Sequence, residues 1–207
     1  ARGVRSPLTR VPGERSESAL VKALAPGYSI DRPKPSEFAE LIRIERAAGE
    51  LFSAEDLPPS VLEEGLSRRY FEETFSAGRL WVVRTGGQPV GFAAAILLDG
   101  SAHLQELNVL PAHGRRGLGR ALVHHVARWA VSEGFASLSL TTFRHVVWNA
   151  PFYAGIGFVP ISAESQGPEM RETLAKEAER GFDPANRVGM RWTFGFRERA
   201  ADRTNSR

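Results

Sequence analysis

The sequence predicts an α/β (α+β) fold: a single domain with a mixed, mostly antiparallel central sheet of six to seven strands flanked by helices. Apolar strand-like segments alternate with amphipathic helical segments in the order β α α β β β α β α β α β. Two tight-turn signals, Thr85–Gln88 and Asp99-Gly100, join three consecutive strand segments, which makes these strands antiparallel neighbours. A long helix with one apolar face follows them.

The first half of the chain supplies one short strand, two helices and three long strands. A strand over Tyr28–Arg32 runs into two prolines, and Ser36 is a candidate cap for the first helix. The apolar face of that helix includes Phe38, Leu41, Ile42 and Phe52. Ser60 and Glu63 have the spacing of a capping box and predict the start of a second helix. Its inward residues are Leu62, Leu66, Tyr70, Phe71 and Phe75. The three long strands are predicted at Leu80–Arg84, Pro89–Leu98 and Ser101–Leu110.

The second half alternates helices and strands. A helix over Gly117–Ser132 has one apolar face and ends before Gly134, a typical residue just past a helix end. That face contains Leu118, Leu122, Val126 and Trp129. The remaining elements are a strand over Ala136–Phe143, a short helix opening at Asn149, a strand after Gly157-Phe158, a helix over Pro168–Arg180 and a last strand over Arg187–Phe196.

Composition excludes several classes of protein. With 42% hydrophobic and 25% charged residues among 207, the chain has the values of a soluble globular protein. It contains no cysteine, so disulfides, thiolate metal ligands and cysteine nucleophiles are excluded. Apolar stretches such as Phe92–Leu98 are too short to span a bilayer, and the N-terminus lacks the apolar core of a secretory signal. We therefore expect a cytoplasmic enzyme that does not bind membranes.

The positive charge of the chain is concentrated at its ends. Residues 1–15 carry a net charge of +3 and residues 197–207 a net charge of +2, whereas the whole chain carries +3. Arg-, Ser- and Pro-rich ends of this kind are typical of solvated, poorly ordered tails. The predicted organisation is a basic extension at 1–27, a folded domain at 28–196 and a basic tail at 197–207.

A Gly- and Arg-rich turn between the third long strand and the long helix is the most informative segment. It reads Val109-Leu110-Pro111-Ala112-His113-Gly114-Arg115-Arg116-Gly117-Leu118-Gly119-Arg120. A turn that opens a helix directs unpaired backbone N–H groups and the positive end of the helix dipole at one point. Its arginines add charge-assisted hydrogen bonds to phosphate oxygens. The glycine spacing differs from that of a Walker loop or a dinucleotide fingerprint. The segment therefore predicts a pyrophosphate site.

This segment resembles the signature of the GNAT superfamily of acyl-CoA-dependent N-acyltransferases. The family pattern is V-x-P, two residues, Gln or Arg, two residues, then G-x-G or G-x-A, and it is matched by Val109, Pro111, Gly117 and Gly119. Gly114 stands where the family has Gln or Arg, so the side-chain contact of that family residue is not expected here. A second segment, Trp148–Phe158, is similar to the later family motif of Asn, Tyr and Gly-Phe. The resemblance covers residues 28–196.

The resemblance implies that the chain binds acetyl-CoA (coenzyme A) as a co-substrate. The backbone of Leu107, Asn108 and Val109 would then bind the pantetheine arm. The pyrophosphate would be held by Arg115, Arg116, Gly117, Leu118, Gly119 and Arg120. Asn149 would contact the cofactor or only cap its helix. The histidines at 113, 124, 125 and 145 form no metal-ligand pattern, and no metal is expected.

Amide formation from a thioester needs a base for the amine and a proton for the thiolate. An alkylamine with a pKa of about 10.4 is almost fully protonated at neutral pH, so a general base has a clear role. Strict strand alternation places His103 with Leu107 and Val109 on one face and Glu106 with Asn108 on the other. The position of His103, six residues before Val109, carries the base in several GNAT branches, which makes His103 the first candidate base and Glu106 the second. Tyr153 matches the family tyrosine that protonates the thiolate.

The acceptor is predicted only as a class. Residues 36–76 contain ten acidic residues and four arginines, a net charge of −6 on the helices that border the acceptor site in GNAT folds. Such a surface attracts a cationic amine, although most of these charges fit a solvated helix face. Trp148, Phe143 and Phe152 are candidates for an apolar part of the pocket. The predicted acceptor is a primary amine of a small molecule or peptide.

Three alternatives remain open at this point. In the first, the donor is a longer acyl-CoA, and in the second it is an aminoacyl-tRNA. In the third, the chain is a non-catalytic acetyl-CoA-binding regulatory module. The basic tails leave tRNA open, but the CoA-type phosphate turn argues against a nucleic-acid partner. Since many relatives are dimers, a homodimer is a further expectation.

Overall fold

A computed structural model of the chain describes residues 24–195. The predicted tail at 197–207 and most of the predicted extension at 1–27 lie outside these residues. Seven strands form one sheet in the order β1-β2-β3-β4-β5-β7-β6, and every pair is antiparallel except β4–β5. The strands are β1 Tyr28–Asp31, β2 Leu80–Thr85, β3 Gln88–Leu98, β4 Ser101–Val109, β5 Ser137–Phe143, β6 Val159–Pro160 and β7 Arg187–Thr193. The predicted mixed, mostly antiparallel sheet flanked by helices is confirmed.

Six α-helices flank the sheet within residues 24–195. They are α1 Phe38–Gly49, α2 Pro59–Glu64, α3 Arg68–Ser76, α4 Leu118–Ser132, α5 Ala150–Ala154 and α6 Pro168–Glu179. In this part of the chain, no helix combines the length and the apolar character needed to cross a bilayer.

The two predicted tight turns close the hairpins of β2–β3 and β3–β4. Gly86 and Gly87 have φ values of 54° and 79°, and Asp99 and Gly100 have φ values of 50° and 68°. Two consecutive central residues with positive φ match the twist of an antiparallel hairpin. Asp99 tolerates this conformation because its short polar side chain is compatible with the left-handed region.

The helical region before β2 differs from the prediction. A single helix from Ser60 to Phe75 was expected, but Gly65, with φ of 55°, ends α2 and a second helix, α3, follows. The cap of α3 is Ser67, whose hydroxyl accepts a hydrogen bond from the Tyr70 backbone N–H at 3.2 Å. Ser60 does not cap a helix, because α2 begins one residue earlier at Pro59, a residue preorganised for the first helical turn.

The predicted cap at Ser36 is also wrong. Ser36 lies inside a 3₁₀ turn, Pro35–Glu37, which leads directly into α1. The residue preceding α1 is Glu37, and its side chain makes no capping hydrogen bond to that helix.

The core lies on both faces of the sheet. On one face, α4 places Leu118, Leu122 and Val126 against strand residues such as Val83 and Leu104, and all five side chains are at most 3% exposed. On the other face, α1 and α3 cover β2 and β3, with each core side chain at most 1% exposed. These are Phe38, Leu41, Ile44, Phe71, Leu80, Val82, Phe92 and Ala94. The chain therefore forms three layers, with the sheet in the middle.

A bulge in β4 changes which residues share a face. Ala95 pairs with Leu104 and Ala94 pairs with Glu106, so Gln105 is an extra residue on β4. Beyond the bulge, Leu107 faces α4 while Glu106 faces α1, because Ala94 belongs to the core cluster on the α1 side. The predicted face assignment is therefore wrong: His103, paired with Ile96, shares the α1 face with Glu106. Strict alternation fails because a bulge adds one residue to only one strand.

Candidate active site

The candidate site lies where β4 and β5 separate. These parallel strands pair only at Ala102 with Leu138 and at His103 with Ser139. Beyond those pairs the described strands diverge, and a cavity of about 600 Å³ opens beside the last three residues of β4. Its walls come from the end of α1, the end of β4, the turn before α4, and α5 with the residue preceding it. A volume of this size fits an extended small-molecule ligand.

The turn between β4 and α4 forms one end of the cavity. After a 3₁₀ turn at Pro111–His113, Arg115 and Gly117 adopt φ values of 60° and 77°. Left-handed residues that alternate with a residue of ordinary conformation turn successive backbone N–H groups towards one concave anion site. Gly117 directly precedes α4 and has no side chain to bind the N–H groups of the first helical turn. These free donors, together with the helix dipole, favour a phosphate-sized anion.

The arginines of the turn have different positions. Arg115 and Arg120 line the cavity, and Arg120 also donates to the Gly155 carbonyl at 3.1 Å. Arg116 does not line it and instead donates to the Tyr28 hydroxyl at 3.2 Å. The Tyr28 hydroxyl also lies 2.9 Å from His113 Nδ1.

Asn149 faces the cavity with one amide group satisfied and one not. Its Oδ1 accepts a hydrogen bond from the Thr142 hydroxyl at 2.8 Å. Its Nδ2 is buried and has no partner among the residues that the structure describes. The side chain makes no cap bond to α5, which begins at the next residue. A buried amide donor without a partner is rare and is typical of a ligand contact.

Tyr153 lies in α5 and lines the cavity with 8% of its surface exposed. Its ring packs on Phe152 and Phe158, at centroid distances of 5.0 and 5.6 Å. Burial and the charge of Glu106 raise the pKa of its hydroxyl well above the ordinary value. The hydroxyl is therefore protonated at neutral pH.

Glu106 lies next to the cavity on the α1 face of β4. Its Oε2 accepts a hydrogen bond of 3.0 Å from Nδ2 of Asn108, which lines the cavity. Burial raises the pKa of Glu106 to about 7, against the lowering effect of the Asn108 hydrogen bond. A carboxyl group with this pKa exchanges protons readily at neutral pH.

His103 lies on the same face but at the other end of the strand. It is 2% exposed and does not line the cavity, and its Nδ1 lies 3.0 Å from the Ser139 hydroxyl. Burial lowers the pKa of His103 to about 4. The structure thus separates the two candidate bases, because divergence of β4 from β5 begins just after His103.

The buried imidazole predicts a loss of stability in acid. Since its folded-state pKa of about 4 lies below the ordinary value of 6.5, the unfolded chain binds the extra proton first as pH falls. The contribution of the neutral His103 imidazole to the free energy of unfolding is fully present above pH 6.5. It is lost between pH 6.5 and 4, by up to ~3 kcal/mol. His103→Leu should therefore lose less stability than the parent chain over this window, measured by urea unfolding at pH 7 and pH 4.5. An equal loss in both proteins would show that His103 does not resist protonation.

Apolar side chains border the open side of the cavity. Phe52 lies after α1, not on its face as predicted, and packs on Phe143 and Trp148 at 5.2 and 6.0 Å. Of the three residues predicted for an apolar part of the acceptor pocket, Trp148 and Phe152 line this cavity, whereas Phe143 is buried with Phe182. Leu51 and Trp148 are 51% and 53% exposed at this border.

Two polar residues near Glu106 were not singled out as site residues by the sequence reasoning. In the sequence, Glu45 is one of ten acidic residues within 36–76 and Tyr70 is one of several apolar or aromatic residues at helical spacing, so neither stands out. A signal for Glu45 was available in its spacing, since it lies four residues after Leu41 and three before Ala48 on the inner face of α1.

Comparison of the sequence with known proteins gives the same family as the motif resemblance does. The model of the Acetyltransferase (GNAT) family matches residues 42–158. N-acetyltransferase family 8 member 3 of Mus musculus is 32% identical over 99 residues, which are 45% of this chain and 43% of that protein. N-acetyltransferase family 8 member 2 of Rattus norvegicus is 33% identical over 87 residues, 39% of this chain and 38% of that protein. The match thus spans less than half the length of either relative.

Solved structures share the fold at low identity. PaiA N-acetyltransferase from Thermoplasma acidophilum, in complex with coenzyme A, superposes with a TM-score of 0.62 at 14% identity, over 81% of this chain and 99% of that chain. N-acetylglutamate synthase from Neisseria gonorrhoeae, complexed with coenzyme A and N-acetyl-glutamate, gives a TM-score of 0.62 at 19% identity, over 82% and 35% of the two chains. With the family model covering more than half of the sequence, the chain belongs to the GNAT family of acetyltransferases.

Proposed function

We propose that this chain is an N-acetyltransferase that moves the acetyl group of acetyl-CoA directly to a primary amine. The observation that carries the proposal is the cavity between β4 and β5. Backbone N–H groups and arginines for a phosphate line it together with Tyr153, and Glu106 lies beside it, hydrogen-bonded to the lining residue Asn108. The family and the coenzyme A complexes of similarly folded proteins support the same donor.

The free edge of β4 suits the pantetheine arm of the donor. Leu107, Asn108 and Val109 pair with β3 on one side, and β5 has moved away on the other. Their backbone groups on the β5 side are therefore available to the amides of an extended ligand, as in strand addition to an open sheet edge. Asn149 Nδ2 supplies a further donor from the opposite wall.

The other end of the cavity suits the diphosphate. The N–H groups around Gly117 and Gly119 and the guanidinium groups of Arg115 and Arg120 converge there. Gly114 suits the tight backbone of this turn, since a Cβ at this position would meet the Pro111 carbonyl oxygen at 3.1 Å. The backbone donors therefore keep their positions. Arg116 supports the turn through Tyr28 and adds positive charge without lining the cavity.

We assign the general base to Glu106 and not to His103. Glu106 borders the cavity through Asn108 and has a pKa of about 7. His103 is 2% exposed, lies outside the cavity beside the Ser139 hydroxyl, and has a pKa of about 4. A group with that pKa is a weak proton acceptor for an ammonium ion at neutral pH.

Tyr153 is the proposed general acid. When bound, acetyl-CoA supplies an activated acetyl thioester. Its leaving group is the CoA thiolate, and the conjugate thiol has a pKa of about 8.5. Tyr153 is kept protonated by its surroundings and donates its hydroxyl proton to the departing sulfur. After the attack, the former amine nitrogen carries one proton more than an amide nitrogen does. It gives this proton to the Tyr153 oxygen and so restores the hydroxyl.

The donor site is tested with a pair of matched substitutions at the two ends of α4. Gly117 and Gly134 both have positive φ, and a Cβ at either would meet no atom within 4 Å. Gly117→Asp places a negative charge beside the phosphate donors, and we expect at least a ~10-fold loss of acetyl-CoA affinity by calorimetric titration. Gly134→Asp adds the same charge at the far end of the helix and should bind as the parent chain does.

Acetyl-CoA that fails to bind the parent chain, or that binds both variants equally, would contradict the proposed donor site. Release of the CoA thiol in the presence of amines then separates an enzyme from a regulatory acetyl-CoA-binding module. A longer acyl-CoA in the same assay tests the choice of donor.

A further inference from the structure

Glu45 is a carboxylate on the buried side of α1. It lies between Leu41, which is fully buried, and Ala48, which is 8% exposed, on the helix face that packs on the sheet. Its carboxylate accepts a hydrogen bond from the Leu66 backbone N–H. The Oε2 atom is nevertheless buried without a partner in the part of the chain that the structure describes. A charged acceptor in this position is costly unless a ligand satisfies it.

Tyr70 presents a second unsatisfied oxygen in the same region. It lies in α3, and its ring contacts Phe71, a core residue, at a centroid distance of 5.4 Å. Its hydroxyl is buried and, within residues 24–195, has no hydrogen-bond partner. Burial raises the pKa of the Tyr70 hydroxyl, and the charge of Glu106 adds to this effect.

Glu106 lies on the face of the sheet that α1 and α3 cover. Its partner on β3 is Ala94, which belongs to the core cluster covered by α1 and α3. The charge of Glu45 contributes to the raised pKa of Glu106, so the two carboxylates lie within each other's field. The cluster adjoins the cavity, because Ala48 and Asn108, neighbours of Glu45 and Glu106, line it.

We propose that Glu45, Tyr70 and Glu106 together bind the ammonium group of the acceptor, and that Glu45 selects primary alkylamines over α-amino acids. A primary ammonium has three N–H donors, and the cluster offers it three separate oxygen acceptors. This inference rests on the proposed function and specifies its acceptor. Glu106 takes one proton from the ammonium, and Glu45 remains as the charged partner.

The selection against amino acids follows from like charge. The carboxylate of an α-amino acid lies two bonds from the amine, so it would enter a site that already holds two carboxylates. A neutral substituent at the same carbon meets no such repulsion. The exposed apolar side chains of Leu51 and Trp148 at the cavity border favour an acceptor whose carbon body is apolar.

Three acceptors with the same carbon chain test the inference: isoamylamine, leucinamide and leucine. We expect the parent chain to acetylate isoamylamine and leucinamide with kcat/KM values at least ~100-fold above that of leucine. Glu45→Gln keeps an oxygen for Leu66 and removes the charge. It should raise KM for isoamylamine by about 10-fold with little change in kcat, and should reduce the preference over leucine by at least ~10-fold.

Two further variants separate the site from general effects. Glu50→Gln removes the same charge from an exposed residue at the end of α1 and should leave the preference unchanged. Tyr70→Phe should raise KM for both isoamylamine and leucinamide, since it removes an acceptor and no charge. Unfolding in urea shows whether each variant is as stable as the parent chain.

The outcomes distinguish this inference from the proposed function. Leucine used as well as isoamylamine, or a preference that Glu45→Gln does not alter, overturns the role of Glu45 while acetyl transfer stands. Binding of acetyl-CoA with no acetylation of any of the three acceptors also overturns this inference, but not the donor site. Failure of acetyl-CoA to bind removes the proposed function itself.

Discussion

Replacing Glu106 with glutamine is expected to lower kcat by about 10²- to 10⁴-fold, the range for losing a general base. Glutamine keeps the size of the side chain and an oxygen for Asn108, which now donates to it at 3.0 Å. The change therefore removes the proton acceptor and little else. Acetyl-CoA affinity should stay within about twofold of the parent value, because Glu106 does not line the donor cavity.

The pH dependence of the same reaction identifies the base. The base must be deprotonated to act, so kcat/KM of the parent chain should rise with pH through an inflection near the Glu106 pKa of about 7. Below this pH the carboxyl is protonated and the rate falls about tenfold per pH unit. The inflection should be absent from Glu106→Gln.

His103→Leu serves as the competing case for the base. If His103 accepts the proton, this variant loses activity and the inflection, while Glu106→Gln retains both. The structure favours the opposite result, since His103 is 2% exposed and hydrogen-bonded at 3.0 Å to Ser139. Measuring both variants side by side decides between the two residues.

Replacing Tyr153 with phenylalanine is expected to lower kcat by about 10- to 100-fold, with the inflection near pH 7 unchanged. The effect is smaller than that of Glu106→Gln because water can also protonate a thiolate, whose conjugate acid has a pKa of about 8.5. The free energy of unfolding should change by less than about 1 kcal/mol, since the ring keeps its contacts with Phe152 and Phe158. Steady-state rates of CoA release together with urea unfolding check both statements.

A Tyr153→Phe variant with the parent rate would remove Tyr153 from the proton transfers. A variant that instead lost acetyl-CoA affinity with kcat unchanged would assign the hydroxyl to donor binding. Calorimetric titration of acetyl-CoA against the variant distinguishes these results.

Most of the fold follows from local signals in the sequence. The turns at Gly86-Gly87 and Asp99-Gly100 require positive φ at two successive residues, and few residue types tolerate this. The helix α4 was predicted because one apolar stripe recurs with helical period, and that stripe is the one buried on the sheet. The break at Gly65 was not predicted. Ser60 has the sequence spacing of a cap for one long helix, but the serine that caps a helix in the structure is Ser67, at the start of α3.

The residues of the proposed donor site were also recognisable in the sequence. The residues of the phosphate turn are contiguous, so their spacing alone brought Gly117, Gly119 and Arg120 together at the start of α4. Asn149 and Tyr153 belong to a second contiguous segment, and the cavity joins the two.

The sequence by itself determined the family and most of the elements, and it singled out the Gly- and Arg-rich turn before α4, because each depends on residues close together along the chain. Only the tertiary structure distinguished the positions of the two candidate bases. The bulge at Gln105 put Glu106 on the same face as His103, and the separation of β4 from β5 left only Glu106 beside the cavity. The proximity of Glu45 and Tyr70 to Glu106 likewise depends on packing α1 and α3 against the sheet, an arrangement of distant segments that no local pattern encodes.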